Sequence, residues 1–196
     1  MINYQGMEFQ TCKKVYEPAE DTFLLAENLK VKKTDKVVEI GTGTGIIAII
    51  TSKITERVIA VDINKYAVEC AKKNSDINQS NIDIRLGDLF DSLKDEKFDT
   101  ILFNTPYLPT NEEERVDDEL EAAWDGGVDG RVVINRFIEE VSEHLNPSGR
   151  VQLVQSSLSN VEETIGRLME KGFDVSITAS ERFFFEEVVV LTAELS

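Results

Sequence analysis

From Lys36 to Lys171, short apolar stretches of strand character take turns with longer segments of helical period. Lys36–Ile40, Arg57–Val61, Asn81–Leu86, Phe98–Phe103 and Arg150–Gln155 read as strands. Helices are expected over Pro18–Leu29, Ile46–Ile54, Asn64–Asn78, Gly130–His144 and Val161–Lys171. The last two strands, Phe173–Ala179 and Phe184–Ala193, have no helix between them. Parallel neighbours need a long crossover, whereas directly joined strands run antiparallel. The order therefore predicts an α/β fold: a mostly parallel sheet with one antiparallel strand at its end. At 196 residues, with no linker or internal repeat, the chain fits a single domain, residues 1–196.

Three strand ends carry ligand-binding chemistry. The first runs into Glu39-Ile40-Gly41-Thr42-Gly43-Thr44-Gly45, a turn whose glycines let the backbone approach a ligand before the next helix. A dinucleotide fingerprint needs G-x-G-x-x-G, and here Ile46 stands where its last glycine belongs, against a dehydrogenase. The second strand ends at Asp62, which can accept both hydroxyls of a ribose. After the third comes Gly87-Asp88-Leu89, with Asp88 placed to take a hydrogen bond from an adenine amino group. An acid at a strand end is often only a helix cap. Glycine, acid and acid in succession point to an adenosine-containing cofactor.

The fourth strand ends in Asn104-Thr105-Pro106-Tyr107. A carboxamide, a rigid turn and an aromatic ring at the carboxyl end of a strand suit a planar group bearing an NH2. They can present its nitrogen to an electrophile. An irregular stretch from Asn104 to Asp129 follows, and loops of that length tend to be functional. It gathers Glu112, Glu113, Glu114, Asp117, Asp118, Glu119 and Glu121, which are either a solvated face or a surface that steers a basic partner.

The net charge of −16 disfavours phosphate backbones, so nucleic acid is not the expected partner. No apolar run reaches membrane-spanning length, and no secretory signal opens the chain, so a cytoplasmic location is expected. Cys12 and Cys70 form no CxxC pair and read as ordinary thiols, with neither a disulfide framework nor a metal site indicated. His144, the single histidine, reads as a cap at a helix C-terminus.

Taken together, Glu39–Gly45, Asp62 and Asp88-Leu89 resemble the motifs of class I S-adenosylmethionine-dependent methyltransferases. The resemblance implies a Rossmann-like sheet of seven strands whose final hairpin supplies the antiparallel strand. Asn104–Tyr107 is similar to the Asn-Pro-Pro-Tyr signature of enzymes that methylate amide or exocyclic amino nitrogen. Tyr16-Glu17-Pro18-Ala19-Glu20-Asp21-Thr22 and Glu121–Gly127 through Gly130-Arg131 look like segments of the HemK-related protein glutamine methyltransferases, in their short archaeal and eukaryotic branch.

That resemblance implies N5-methylation of the glutamine in the Gly-Gly-Gln loop of a class 1 translation release factor. Asn104, Pro106 and Tyr107 would be the catalytic residues. Tyr16, Thr22, Glu39, Gly41, Gly43, Gly45, Asp62, Asp88, Leu89 and Asn104 would hold S-adenosyl-L-methionine. Trp124 would either shape the acceptor channel or anchor the loop. A small zinc-binding activator protein would pair with the edge strand Asn81–Leu86. Thr105 departs from the family pattern, where proline is usual. The expectation is either weaker acceptor positioning or a tolerated turn substitution. The rival readings are methylation of a DNA amino group, methylation of a lysine, and a cofactor-binding subunit without catalysis.

Overall fold

A computed structural model describes residues 1–108, 127 and 129–195. The chain opens with a small hairpin of β1 (Ile2–Tyr4) and β2 (Met7–Phe9). Then come α1 (Glu20–Glu27), β3 (Lys36–Ile40), α2 (Ile46–Ser52), β4 (Arg57–Asp62), α3 (Lys65–Ile77) and β5 (Asp83–Leu86). The rest is β6 (Phe98–Asn104), α4 (Val132–Glu140), β7 (Leu145–Ser156), α5 (Val161–Glu170), β8 (Phe173–Arg182) and β9 (Glu187–Leu195).

The sheet has seven strands in the order β5-β4-β3-β6-β7-β9-β8. β9 runs antiparallel to both of its neighbours, and the other pairings are parallel. From β3 the chain winds through β4 to β5 in one direction, and from β6 to β7 in the other. Right-handed crossovers then place the intervening helices on opposite faces. In agreement, α1 packs on α2 and α2 on α3, while α4 packs on α5. β3 and β6 are buried on both sides, which explains their continuous apolar runs. The winding reverses between them, so the carboxyl ends of β3, β4, β5 and β6 open on one crevice.

Helix ends follow local chemistry. Asn64 caps α3 by accepting from the Tyr66 amide at 2.9 Å, and Asn160 caps α5 by accepting from Glu163 at 3.2 Å. Among the described residues, no helix is long and apolar enough to cross a membrane.

The structure corrects several sequence expectations. Cys12 and Cys70 are joined in a disulfide across 58 residues of sequence. Their spacing carries no signature, because the pairing arises from the segment after β2 lying along α3. Asn74 holds that segment, accepting from the Gln10 amide at 2.7 Å and donating to its carbonyl at 3.0 Å. His144 does not cap its own helix. Its Nδ1 lies 3.1 Å from the Glu96 carbonyl, and its ring stacks on Phe90 with centroids 4.3 Å apart. The last strand begins at Glu187, so Phe184 and Phe185 fall in the β8–β9 turn. The acidic run from Glu112 to Glu121, and Trp124, lie outside the described residues.

Candidate active site

A cavity of about 300 Å³ lies at the carboxyl ends of β3 to β6. Tyr16, Thr22, Glu39, Gly41, Gly43, Asp62, Asp88, Leu89, Asn104, Pro106 and Tyr107 all line it. Gly45 does not. It takes a left-handed conformation (φ 84°) at the start of α2, and a Cβ there would lie 3.0 Å from the Cβ of Ala71. Its glycine is therefore required by the close approach of α2 to α3.

The glycine turn is tied down from beneath. Oε2 of the buried Glu39 accepts from the Thr42 hydroxyl at 2.6 Å and from the Ala48 amide at 2.9 Å. Burial pushes the Glu39 carboxyl up to about 8, against the pull of these two bonds and with a further push from Asp62. Asp62 accepts from the Gly43 and Asn64 amides, each at 2.8 Å, which ties the end of β4 to the turn. Its pKa is also raised by burial, with the two amide bonds opposing the shift. Asp88 pairs with Arg136 of α4 at 2.8 Å, and both side chains line the cavity. Leu89 is buried in the left-handed region (φ 46°), an uncommon conformation for a bulky side chain and a mark of a constrained site.

The other end of the cavity is organised by Asp21, which lies in the Tyr16–Thr22 segment but was not among the expected site residues. Its buried carboxylate accepts from the Thr22 amide at 2.6 Å and the Thr22 hydroxyl at 3.2 Å. It also accepts from Asn104 Nδ2 at 3.0 Å, the Tyr107 hydroxyl at 3.3 Å and the Tyr16 hydroxyl at 3.4 Å. A carboxylate only accepts, so the end of the Asn104 carboxamide facing it must be the NH2. Asn104 lines the cavity, and its side-chain oxygen is buried with no hydrogen-bond partner among the described residues. Burial first, and then the charge of Asp21, raise the pKa values of Tyr16 and Tyr107 well above the ordinary phenol value. Both remain neutral phenols at physiological pH.

Thr105 is anchored to the neighbouring strand. Its hydroxyl donates to the Val154 carbonyl at 2.6 Å, and its amide points at the same oxygen at 3.4 Å. Two bonds to β7 thus constrain the turn where a proline ring would do so covalently. Behind it, Gly130 (φ 71°) passes so close that a Cβ would lie 2.3 Å from the Tyr107 carbonyl oxygen. Arg131, also buried, fastens the returning chain to α5 by donating to the Ser159 and Asn160 carbonyls at 2.6 and 2.8 Å and to the Thr164 hydroxyl at 2.9 Å.

The arrangement can hold a nucleoside cofactor at one end and a planar amide at the other. Residues 15–123 match the family described as the methyltransferase small domain. A Methanocaldococcus jannaschii protein, provisionally named a protein N5-glutamine methyltransferase, is 46% identical over 98% of this chain and 98% of its own. The chain belongs to the HemK-related protein glutamine methyltransferases. Within that family, the human methyltransferase HEMK2 is 34% identical over 90% of this chain and 88% of its own. A chain of the E. cuniculi Mtq2–Trm112 complex superimposes with a TM-score of 0.75 at 28% identity, over 93% of this chain and 99% of that one. That complex is responsible for methylation of the translation termination factor eRF1. That chain therefore shares this fold over almost its whole length.

Proposed function

We propose that this enzyme methylates N5 of the glutamine in the Gly-Gly-Gln motif of a class 1 translation release factor, using S-adenosylmethionine. One observation carries the reading furthest. The Asn104 carboxamide is oriented by Asp21, and its oxygen is buried without a donor. Buried acceptors seldom stay unpaired, so a ligand N–H is the expected partner.

The cavity fits the cofactor. Gly43 leaves open space where a Cβ would stand, Asp62 can reach ribose hydroxyls, and Asp88 with Leu89 forms the adenine end. Tyr16 and Thr22 close the opposite end. When bound, S-adenosylmethionine supplies an electrophilic methyl group on a sulfonium. An amide nitrogen is a poor nucleophile because its lone pair is delocalised into the carbonyl. Asn104 Oδ1 and the Thr105 carbonyl accept its two hydrogens and fix its orientation, while Pro106 and Tyr107 confine the amide plane. Catalysis then rests on positioning and on fixed dipoles. The neutral phenols of Tyr16 and Tyr107 act as donors to Asp21, not as bases. The N-methylated amide first formed is strongly acidic and releases its proton to water.

A small zinc-binding partner protein at β5 is part of the same reading. β5 is an edge strand with an exposed Leu86, and exposed edges recruit partner strands. The related E. cuniculi enzyme is itself found in complex with Trm112. The cytoplasm, where translation factors reside, is the proposed location.

The test is to incubate the protein with labelled S-adenosylmethionine and a release factor, a DNA duplex or a histone, then locate the label by mass spectrometry. Label on the Gly-Gly-Gln glutamine is the expected result. Label on a base or a lysine would replace this reading with that acceptor. Cofactor binding without transfer, even with the partner protein present, would leave a binding subunit.

A further inference from the structure

The β8–β9 turn carries two phenylalanines with no place in the core. Phe184 is 92% and Phe185 84% exposed, and their rings meet edge to face with centroids 4.8 Å apart. Adjacent large aromatics held in solvent are uncommon in a soluble protein and mark contact surfaces. The turn itself is ordered by a hydrogen bond from the Phe183 amide to the Glu186 carbonyl at 2.8 Å.

Its position follows from the topology. β9 is antiparallel to β7, so the start of β9 and the end of β8 lie at the sheet end where β6 and β7 finish. The contacts agree. The Ser156 hydroxyl at the end of β7 donates to the Glu186 carboxylate, and the Glu187 amide donates to Ser157 Oγ at 3.0 Å. Val154, two residues before Ser156, holds the acceptor turn through Thr105. Glu186 is close enough to Tyr16 and Tyr107 for its charge to oppose ionisation of both. Hydrogen bonds at the end of β7, together with the strand itself, therefore connect the turn that carries the exposed aromatics to the wall of the cavity.

We propose that Phe184 and Phe185 form a docking lip that binds an apolar side chain of the acceptor protein beside its methylated loop. The proposal rests on the protein-acceptor reading above. Charge selects this occupant over two others. A surface of net charge −16 is repelled by anionic lipid, so the aromatics are not a membrane anchor. A second copy of the chain carries the same −16, which opposes self-association through this face. A basic protein with an exposed apolar residue satisfies both the charge and the aromatic pair. Aromatic anchors of this kind commonly dominate binding energy at interfaces.

The experiment compares the wild-type enzyme with the Phe184→Ser/Phe185→Ser and Phe184→Leu/Phe185→Leu double variants. Each is assayed for KM and kcat with intact release factor, for S-adenosylmethionine affinity by calorimetry, and for mass by sedimentation. The serine variant should raise KM about ten-fold or more. Its kcat should stay within about two-fold of wild type, its cofactor affinity and melting temperature should be unchanged, and the leucine variant should recover most of the KM. An unchanged KM in the serine variant overturns the lip while leaving the proposed function standing. A wild-type dimer that the serine variant dissolves without a change in KM also overturns it, in favour of a self-contact. Absence of transfer by wild type would instead sink the release-factor reading, and the lip with it.

Discussion

At the scale of single residues, the proposed acceptor site depends on the Asp21 carboxylate, which lines the same cavity. Asp21 fixes which way round the Asn104 amide sits, with its NH2 on the carboxylate. In Asp21→Asn an amide can satisfy Asn104 in either orientation, so the acceptor oxygen is no longer specified. We expect kcat to fall about 10- to 100-fold, on the scale of a lost positioning interaction, with S-adenosylmethionine affinity changed much less. Single-turnover transfer and calorimetry separate the two. Glu39 yields a pH prediction. Its carboxyl is held up to about 8 when folded and has an ordinary value of 4.5. As pH rises through this window the unfolded chain releases the proton first, so its stabilising contribution is lost between about 4.5 and 8. Glu39→Gln, neutral throughout, should lack this slope. Between pH 5.5 and 8.5 wild type should lose about 3 kcal/mol relative to the variant, read from denaturant melts. Asn104, Asp62 and the glycine turn were legible because strand ends advertise them. Asp21 was not, because an acid in the first turn of a helix is already explained by the dipole.

At the scale of elements, the alternation of strands and helices was legible because buried parallel strands must be continuously apolar. β3 begins and ends where its sequence suggests, and α3 is bounded by the asparagines at either end. The N-terminal hairpin escaped notice. Its strands are three residues each, and its Gln5-Gly6 turn, with both residues at positive φ, is a weaker signal than Asn-Gly. The two cysteines read as ordinary thiols in sequence because only tertiary contact brings Cys12 to Cys70. Closing a loop of 58 residues restricts the unfolded chain by about 4 kcal/mol in the chain-entropy picture. Cys12→Ser, or a thiol reductant, should therefore lower the melting temperature. The Cys12→Ser protein should show no further response to the reductant. Because the tethered segment leads directly to Tyr16, the variant should also lose some cofactor affinity.

At the scale of the whole molecule, charge and sheet order matter most. With −16 net charge, encounter with a basic acceptor is accelerated at low ionic strength. Raising salt from about 50 to 500 mM, which shortens the screening length several-fold, should reduce kcat/KM for the release factor about ten-fold and leave single-turnover transfer from the preformed complex nearly unchanged. A salt-insensitive kcat/KM would remove electrostatic steering from the account. The sheet order has a kinetic corollary. β5 and β8 are the two outer strands, six spacings apart, or about 29 Å at ordinary strand separation. A strand paired with β5 thus makes no contact with the aromatic turn after β8. Substitutions that weaken one surface should combine multiplicatively with removal of the other, with no coupling energy in a double-perturbation cycle.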